Sequence, residues 1–353
     1  MQKKLIALAV AGIVAAPAFA QSNVTMYGRL DYGYLNAKED NNGTETKMNS
    51  TGFGTGALTT SRLGFKGSED LGNGLKAHFQ LELQIADSSA FGDDTGSNVG
   101  DSFDTRLALV GLSGGFGSVT LGRQTTLVET AWGIGAAGAI NNATGALYTS
   151  QSLLLNTSAK MNNTRSDELI TYMTPDFSGL KVGVQYGKGE TEVGGTYVGD
   201  KEHKEAGLVV QYGNGPLNVA LGYSKETGRD QTGDINNAKS LVLGANYDFG
   251  VVKAFGTYMN GSNDDGGIDK SKGWELGLNA PVGPVVLVAS YFDGKIESTA
   301  NYDVDTKGYQ LGALYPLSKR TTAYALYGAN KEDGENNADG KVTNFAVGLR
   351  HDF

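Results

Sequence analysis

Cysteine is absent from the 353 residues, histidine occurs three times and proline six times. Without thiols the chain forms neither disulfides nor thiolate metal sites, so a protein of this size is held by backbone pairing and burial. The histidines, His78, His203 and His351, are scattered between a strand-like row, a charged loop and the C-terminal segment, which suits solvated or structural roles. Long apolar runs are also missing. Beyond the N-terminal segment nothing approaches 18 consecutive apolar residues, so no transmembrane helix is expected. A basic patch for nucleic acid is lacking as well, and no cofactor motif survives inspection.

The N-terminal exception has its own pattern. "MQKKLIALAVAGIVAAPAFA" (1–20) runs from Lys3 and Lys4 through a short apolar stretch to Ala18-Phe19-Ala20. That order marks a cleaved secretory signal, with cleavage expected before Gln21. Its removal takes the 29 basic side chains to 27 against 38 acidic ones, a formal charge of −11. Acidity of this size implies solubility and self-repulsion and says nothing about fold.

Glycine, at 52 residues, and tyrosine, whose 17 outnumber the 13 phenylalanines, are abundant. The glycines sit inside segments of strict apolar–polar alternation, which argues for strands and against disorder. Strand-like segments fall at 23–35, 58–68, 75–86, 104–113, 118–124, 164–174, 179–188 and 204–213. They continue at 216–226, 238–249, 251–261, 272–281, 284–294, 306–316, 320–330 and 342–353, making sixteen. Short turns such as "DLGNG" (70–74), "GGFG" (114–117) and "PDFSG" (175–179) alternate with long polar loops such as 36–57 and 331–341. This is the asymmetry of an all-β, 16-stranded antiparallel transmembrane β-barrel in a single domain, 21–353.

The side-chain rows support a wet lumen. Apolar rows end in tyrosine, as in Leu180-Val182-Val184-Tyr186 and Leu217-Val219-Leu221-Tyr223, and tyrosine suits a water–lipid boundary. The opposite rows, such as Asn218-Ala220-Gly222, are too small to fill a barrel of this width. Register follows from energetics. In "RLGFKGSEDLGNGLKAHFQLELQ" (62–84), turning the hairpin over exposes Arg62, Lys66 and Lys76 to lipid, at about 2–4 kcal/mol each near mid-bilayer. The apolar row from Leu75 to Ile85 therefore looks out, and the charged row looks in. Two segments resist sorting: "VVLVAS" (285–290) is apolar on both faces, and "RTTAYALYGA" (320–329) reads either way. A subunit contact or cover by an inserted loop explains either one.

"VTMYGRLDYGY" (24–34), "SRLGFKGSEDLGNGLKAHFQLE" (61–82), "TRLALVGLSGGFGSVTLGRQ" (105–124), "TPDFSGLKVGVQYG" (174–187) and the terminal "FAVGLRHDF" together resemble the Gram-negative general porins. The likeness is to their betaproteobacterial and neisserial branch, and it spans nearly the whole chain. It implies a homotrimer in the cell outer membrane and passive diffusion of ions and small hydrophilic solutes. It also implies a channel narrowed by an inward-folded third loop. The terminal Phe353 resembles the signal read by the barrel-assembly machinery, with His351 departing from the usual residue type. Outer-membrane lipid and lipopolysaccharide are the further partners implied.

The span from about 125 to 163 reads independently as the third loop. "LVETAWGIGAAGAINNATGALY" (127–148) is apolar, small and aromatic, unlike the acidic loops, and needs a surface to pack on. Family matching places Arg29, Arg62, Arg106 and Arg165 in the basic cluster of the pore constriction, with Arg123 a further candidate. Facing them the loop offers Glu129 and little else, which implies a net positive eyelet. Screening acts over about 8 Å at physiological salt, so this ring outweighs the distant acidic loops and implies weak anion preference.

Other motifs read as ordinary structure. "GLSGG" (111–115) matches a nucleophile pattern, but a strand follows it where a helix is required. No histidine–serine pairing suggests an enzyme. "GIGAAG" (133–138) lacks the acid about twenty residues on that a dinucleotide site needs. "NDDGGID" (263–269) and "EDGENNADGK" (332–341) lack full calcium-ligand spacing and read as solvated loops, with a weak calcium or lipopolysaccharide-bridging site as the alternative.

Overall fold

In the computed structural model the described residues are 23–41, 44–47, 51–85, 103–136, 164–193, 196–229, 235–263, 268–298, 303–334 and 340–353. The 1–20 segment, residues 137–163 of the proposed third loop and the tips of the acidic loops lie outside them. The strands are β1 Asn23–Asn41, β2 Thr44–Lys47, β3 Gly52–Thr55, β4 Arg62–Gly72, β5 Leu75–Ile85 and β6 Phe103–Gly114. After β7 Gly117–Thr125 comes helix α1 Leu127–Gly135, then β8 Arg165–Met173, β9 Leu180–Val193 and β10 Thr196–Asn214. The series continues with β11 Leu217–Arg229, β12 Ile235–Asp248, β13 Lys253–Asn263 and β14 Ile268–Val282. It ends with β15 Val285–Ser298, β16 Val304–Pro316, β17 Thr321–Gly334 and β18 Gly340–Asp352.

Every long strand pairs antiparallel with its neighbours, and β1 closes the circle by pairing with β18 from Arg29↔Asp352 to Asn41↔Gly340. The short β2 and β3 pair with β1, and the other sixteen strands form the barrel. Closure removes the free edges that an open sheet exposes. Between β4 and β5 the turn is two residues, Asn73 and Gly74, with φ of 51° and 78°. Such a primed turn matches the twist of the flanking strands and favours asparagine followed by glycine.

The outward rows are apolar and exposed, as at Leu208, Val210, Leu221, Leu241 and Leu243. Tyr223, Trp274, Tyr291, Tyr309 and Tyr327 border them towards the long loops, and Tyr212, Tyr247, Phe249 and Tyr315 towards the short turns. Tyr309 and Tyr315 lie six residues apart on β16, about 20 Å along the strand at ~3.4 Å per residue. That approaches the apolar band of about 25 Å in outer-membrane barrels. Inside, Lys66 stands 5.2 Å from the ring of Tyr27, and Tyr27 donates to Glu82. The charged row of the first hairpin therefore faces the lumen.

Two segments pack on the inner face. Helix α1 buries Leu127, Val128, Ala131 and Trp132 against the inward Val209, Ala220, Val242 and Met259. Its seat is made by glycine. A Cβ on Gly244 would collide with the Ala131 carbonyl and lie 2.7 Å from the Gly135 nitrogen, and one on Gly222 would lie 2.9 Å from the Ala131 Cβ. On the opposite wall β4 begins at Arg62 and not at 58, a correction to the alternation reading. The strand expected over 58–68 includes residues 58–61, yet these leave the wall. Ala57 and Leu58 join Leu35, Ala37, Val288, Tyr324, Leu326, Val342 and Ala346 in a buried apolar cluster. The two unsorted segments, 285–290 and 320–329, are thereby explained, since Val288, Tyr324 and Leu326 face inward under this cover.

Candidate functional site

Alternation alone places Arg106 wrongly. On β6 it shares parity with Val110 and Leu112, which are exposed on the outer face. The β5–β6 register, however, slips between Glu82↔Leu107 and Leu83↔Thr105, leaving Arg106 as an extra residue. A bulge of this kind re-aims a side chain, and here it turns the guanidinium inward. Arg106 Nε donates to Glu82 Oε1 at 2.7 Å and Nη1 donates to Gln84 Oε1 at 3.4 Å.

Glu82 is the hub of the group. It also accepts from the Tyr27 hydroxyl at 3.0 Å and lies 3.8 Å from Arg62 Nη1, while Gln80 donates to the Tyr27 hydroxyl at 2.6 Å. Sequence reading left Glu82 in an anonymous wet row. The available signal was its place on the lumen face one step diagonal to Arg62, whose direct partner is Gln84. Arg29 sits directly opposite Arg62 in the β1–β4 register and is ion-paired with Asp352. Arg350, which sequence reading missed, meets the same carboxylate at 3.4 Å.

Arg165 and Glu129 approach from the far side. The β7–β8 register slips at Asp167–Glu168, where Glu168 has a φ of 56°. Beyond this bulge Arg165 opens β8, donating to Thr164 Oγ1 at 3.4 Å. The charges of Arg106, Glu129, Glu82 and Arg123 act on it, and those of Arg106, Glu82, Arg29 and Arg165 act on Arg62. Glu129 occupies the first turn of α1, whose N-cap Thr126 accepts from the Glu129 N–H at 3.3 Å. A carboxylate there is favoured by the helix dipole. Arg123 is tied to strand ends, donating from Nε to the Thr105 carbonyl at 2.7 Å and from Nη1 to Asp167 at 2.8 Å.

The structure therefore brings Arg29, Arg106 and Arg165 within electrostatic reach of Arg62, with Glu129 beside Arg165 and Arg123 at the margin. The balancing carboxylates come mostly from the wall (Glu82, Asp167 and Asp352), where the sequence had pointed only to the loop. Of the other motifs, "GLSGG" (111–115) runs out of β6 into the turn before β7, so the strand-to-helix elbow of a nucleophile is not formed there. His78 lies beneath Gly111, His351 Nδ1 meets the Thr321 hydroxyl at 2.9 Å, and the His203 side chain lies outside the described residues.

Comparison with known proteins agrees with this architecture. A family model described as Gram-negative porin matches residues 7–335. Outer membrane porin protein 32 of Delftia acidovorans is 35% identical over 383 residues, covering 100% of both chains. Major outer membrane protein P.IB of Neisseria meningitidis serogroup B is 29% identical over 367 residues, again over 100% of both. Among solved structures, an anion-selective porin from Comamonas acidovorans superposes with a TM-score of 0.74 at 31% identity, covering 94% of this chain and 100% of that one.

Proposed function

The chain belongs to the Gram-negative porin family, and on that premise we propose that its arginine cluster is the constriction of an outer-membrane diffusion channel with weak anion preference. Ions and small hydrophilic solutes pass down their gradients through the water-filled barrel, chemically unchanged. The observation that carries this reading is the bulge that turns Arg106 off the lipid face and into the lumen. There it joins Arg29, Arg62 and Arg165, opposite the helix that bears Glu129. Six arginines, counting Arg123 and Arg350, stand against five carboxyl groups, Glu82, Glu129, Asp167, Asp352 and the buried Asp31. Rings of charge set pore selectivity, and screening over about 8 Å at physiological salt lets wall charges act across a narrow eyelet while the distant acidic loops are damped.

In this reading the span 125–163 is the constriction loop. The signal 1–20 is removed on export, three copies associate in the membrane, and Phe353 serves barrel assembly. Lipid is the outer partner. The exposed Lys225 and Lys239 stand directly opposite one another on β11 and β12 just beyond Tyr223, a like-charge pair suited to the phosphates of lipopolysaccharide. Planar-bilayer recording in a KCl gradient tests the central reading. Conductance steps with chloride the more permeant ion support it, and clear potassium selectivity or an absence of steps refutes it.

A further inference from the structure

β1 is paired with β4 as far as Arg29↔Arg62 and with β3 from Tyr32↔Thr55 onward. Between these two partners the chain from Gly56 to Ser61 leaves the sheet, and Asp31 lies at the gap. Asp31 is fully buried, and its carboxylate is wholly engaged. Oδ2 accepts from the Thr59 N–H at 3.0 Å, and Oδ1 accepts from the Tyr324 hydroxyl at 2.7 Å. Its backbone is engaged too. The Asp31 N–H donates to Ser61 Oγ at 3.0 Å, Ser61 Oγ donates to the Asp31 carbonyl at 3.2 Å, and the Gly56 N–H donates to that carbonyl at 3.2 Å. Leu58 packs into the apolar cluster that covers Tyr324 and Leu326. The segment is thus nailed to the wall at each end and through its middle.

What the segment holds is Arg62. Arg62 Nε donates to the Thr60 carbonyl at 3.1 Å and Nη2 donates to Thr59 Oγ1 at 3.0 Å, which leaves Nη1 directed at Glu82 from 3.8 Å. A long arginine side chain in a water-filled pore otherwise loses rotamer entropy to occupy one position. Here two neutral acceptors fix the guanidinium plane, and the acceptors are themselves fixed by Asp31. We propose that Asp31 and Tyr324 are positioning residues that act through the Gly56–Ser61 brace to hold the Arg62 charge in one place on the lumen wall and so set ion selectivity. The inference rests on the constriction reading given above. A buried carboxylate suits this part because each of its two oxygens accepts from a donor on a different element, whereas the Nδ2 of an asparagine would face one of those donors with another donor.

The test is a double-mutant cycle read as the chloride-to-potassium permeability ratio in a KCl gradient. Tyr324→Phe keeps the buried ring and removes only the hydroxyl. It should move the ratio toward unity in the parent protein and leave it unmoved in an Arg62→Gln background. Thr59→Val should reproduce the shift, and Thr59→Ser, which keeps the hydroxyl, should not. Asp31→Asn should shift the ratio in the same direction, and Tyr324→Phe carries the test should that variant fail to assemble. Equal shifts in both backgrounds, or none in either, overturn the proposal. If Arg62→Gln shifts the ratio and Tyr324→Phe does not, the positioning role alone is refuted. If Arg62→Gln leaves the ratio unchanged, the constriction reading falls with it.

Discussion

Two inserts line opposite walls of this barrel, and they are fastened by different means. Helix α1 is seated by shape. Ala131 and Gly135 lie against the backbone of Gly222 and Gly244, four apolar side chains are buried, and side-chain hydrogen bonds reach it from the wall. Gln185 Oε1 accepts from the Leu127 N–H at 3.3 Å, and Asn246 Nδ2 donates to the Ile134 carbonyl at 2.7 Å. The Gly56–Ser61 brace buries two apolar side chains, Ala57 and Leu58, and is fastened by hydrogen bonds to the Asp31 carboxylate and backbone. Burial is non-directional, whereas hydrogen bonds fix the direction of the groups they hold. On the proposed reading the helix narrows the pore, and the brace aims a charge within it.

That division of labour makes separable predictions. The largest stability effect is expected for Leu58→Ala, since truncating a buried leucine costs about 2–5 kcal/mol. Equilibrium unfolding of the purified barrel should show it, together with a loss of selectivity and little change in conductance. Gly244→Ala comes next. Overpacking against the Ala131 carbonyl costs about 1–3 kcal/mol, and single-channel conductance should change while the permeability ratio stays near that of the parent. If both variants alter conductance and selectivity in the same proportion, the two inserts do not differ in function.

Smaller effects bound the comparison. Thr126→Ala removes the α1 N-cap and should cost about 1 kcal/mol, again seen in conductance more than in selectivity. The smallest lies outside both inserts, at Asp176 in the exposed turn before β9. The Gly179 N–H at 2.6 Å, and then Lys181, hold its carboxyl below the usual carboxylate range. A depressed carboxylate stabilises the fold at pH values above its unfolded value, and that contribution is lost as pH falls through the lowered one. Asp176→Asn should therefore leave stability at neutral pH slightly reduced and flatten its acid dependence, with channel properties unchanged.

The same contrast shows what the chain reveals in one dimension. Alternation, turn chemistry and the cost of charge in lipid made the strands, the closure and the outward face legible, because each is a local or pairwise property. That 127–148 needs a surface to pack on was legible as well, since it is apolar where the other loops are acidic, but the helix at Leu127–Gly135 was not. Nor was the brace. Residues 58–61 read as the start of the strand that follows, and only the pairing of Asp31 with Thr59 and Tyr324, across 28 and 293 residues, shows that they leave the wall. Bulges were equally hidden. The inward turn of Arg106 depends on a one-residue slip between β5 and β6, which nothing in "TRLALVGL" announces. The puzzling double-sided apolarity at 285–290 was a true signal of cover, and its partner, Leu58, lay more than two hundred residues away.

The central claim is that fixed arginine charge, and not the acidic loops, governs what passes. Its most direct test is the zero-current potential of the purified protein in a planar bilayer under a KCl gradient. The account predicts discrete conductance steps and a potential whose sign marks chloride as the more permeant ion. A potential of the opposite sign, marking potassium as the more permeant ion, would contradict it.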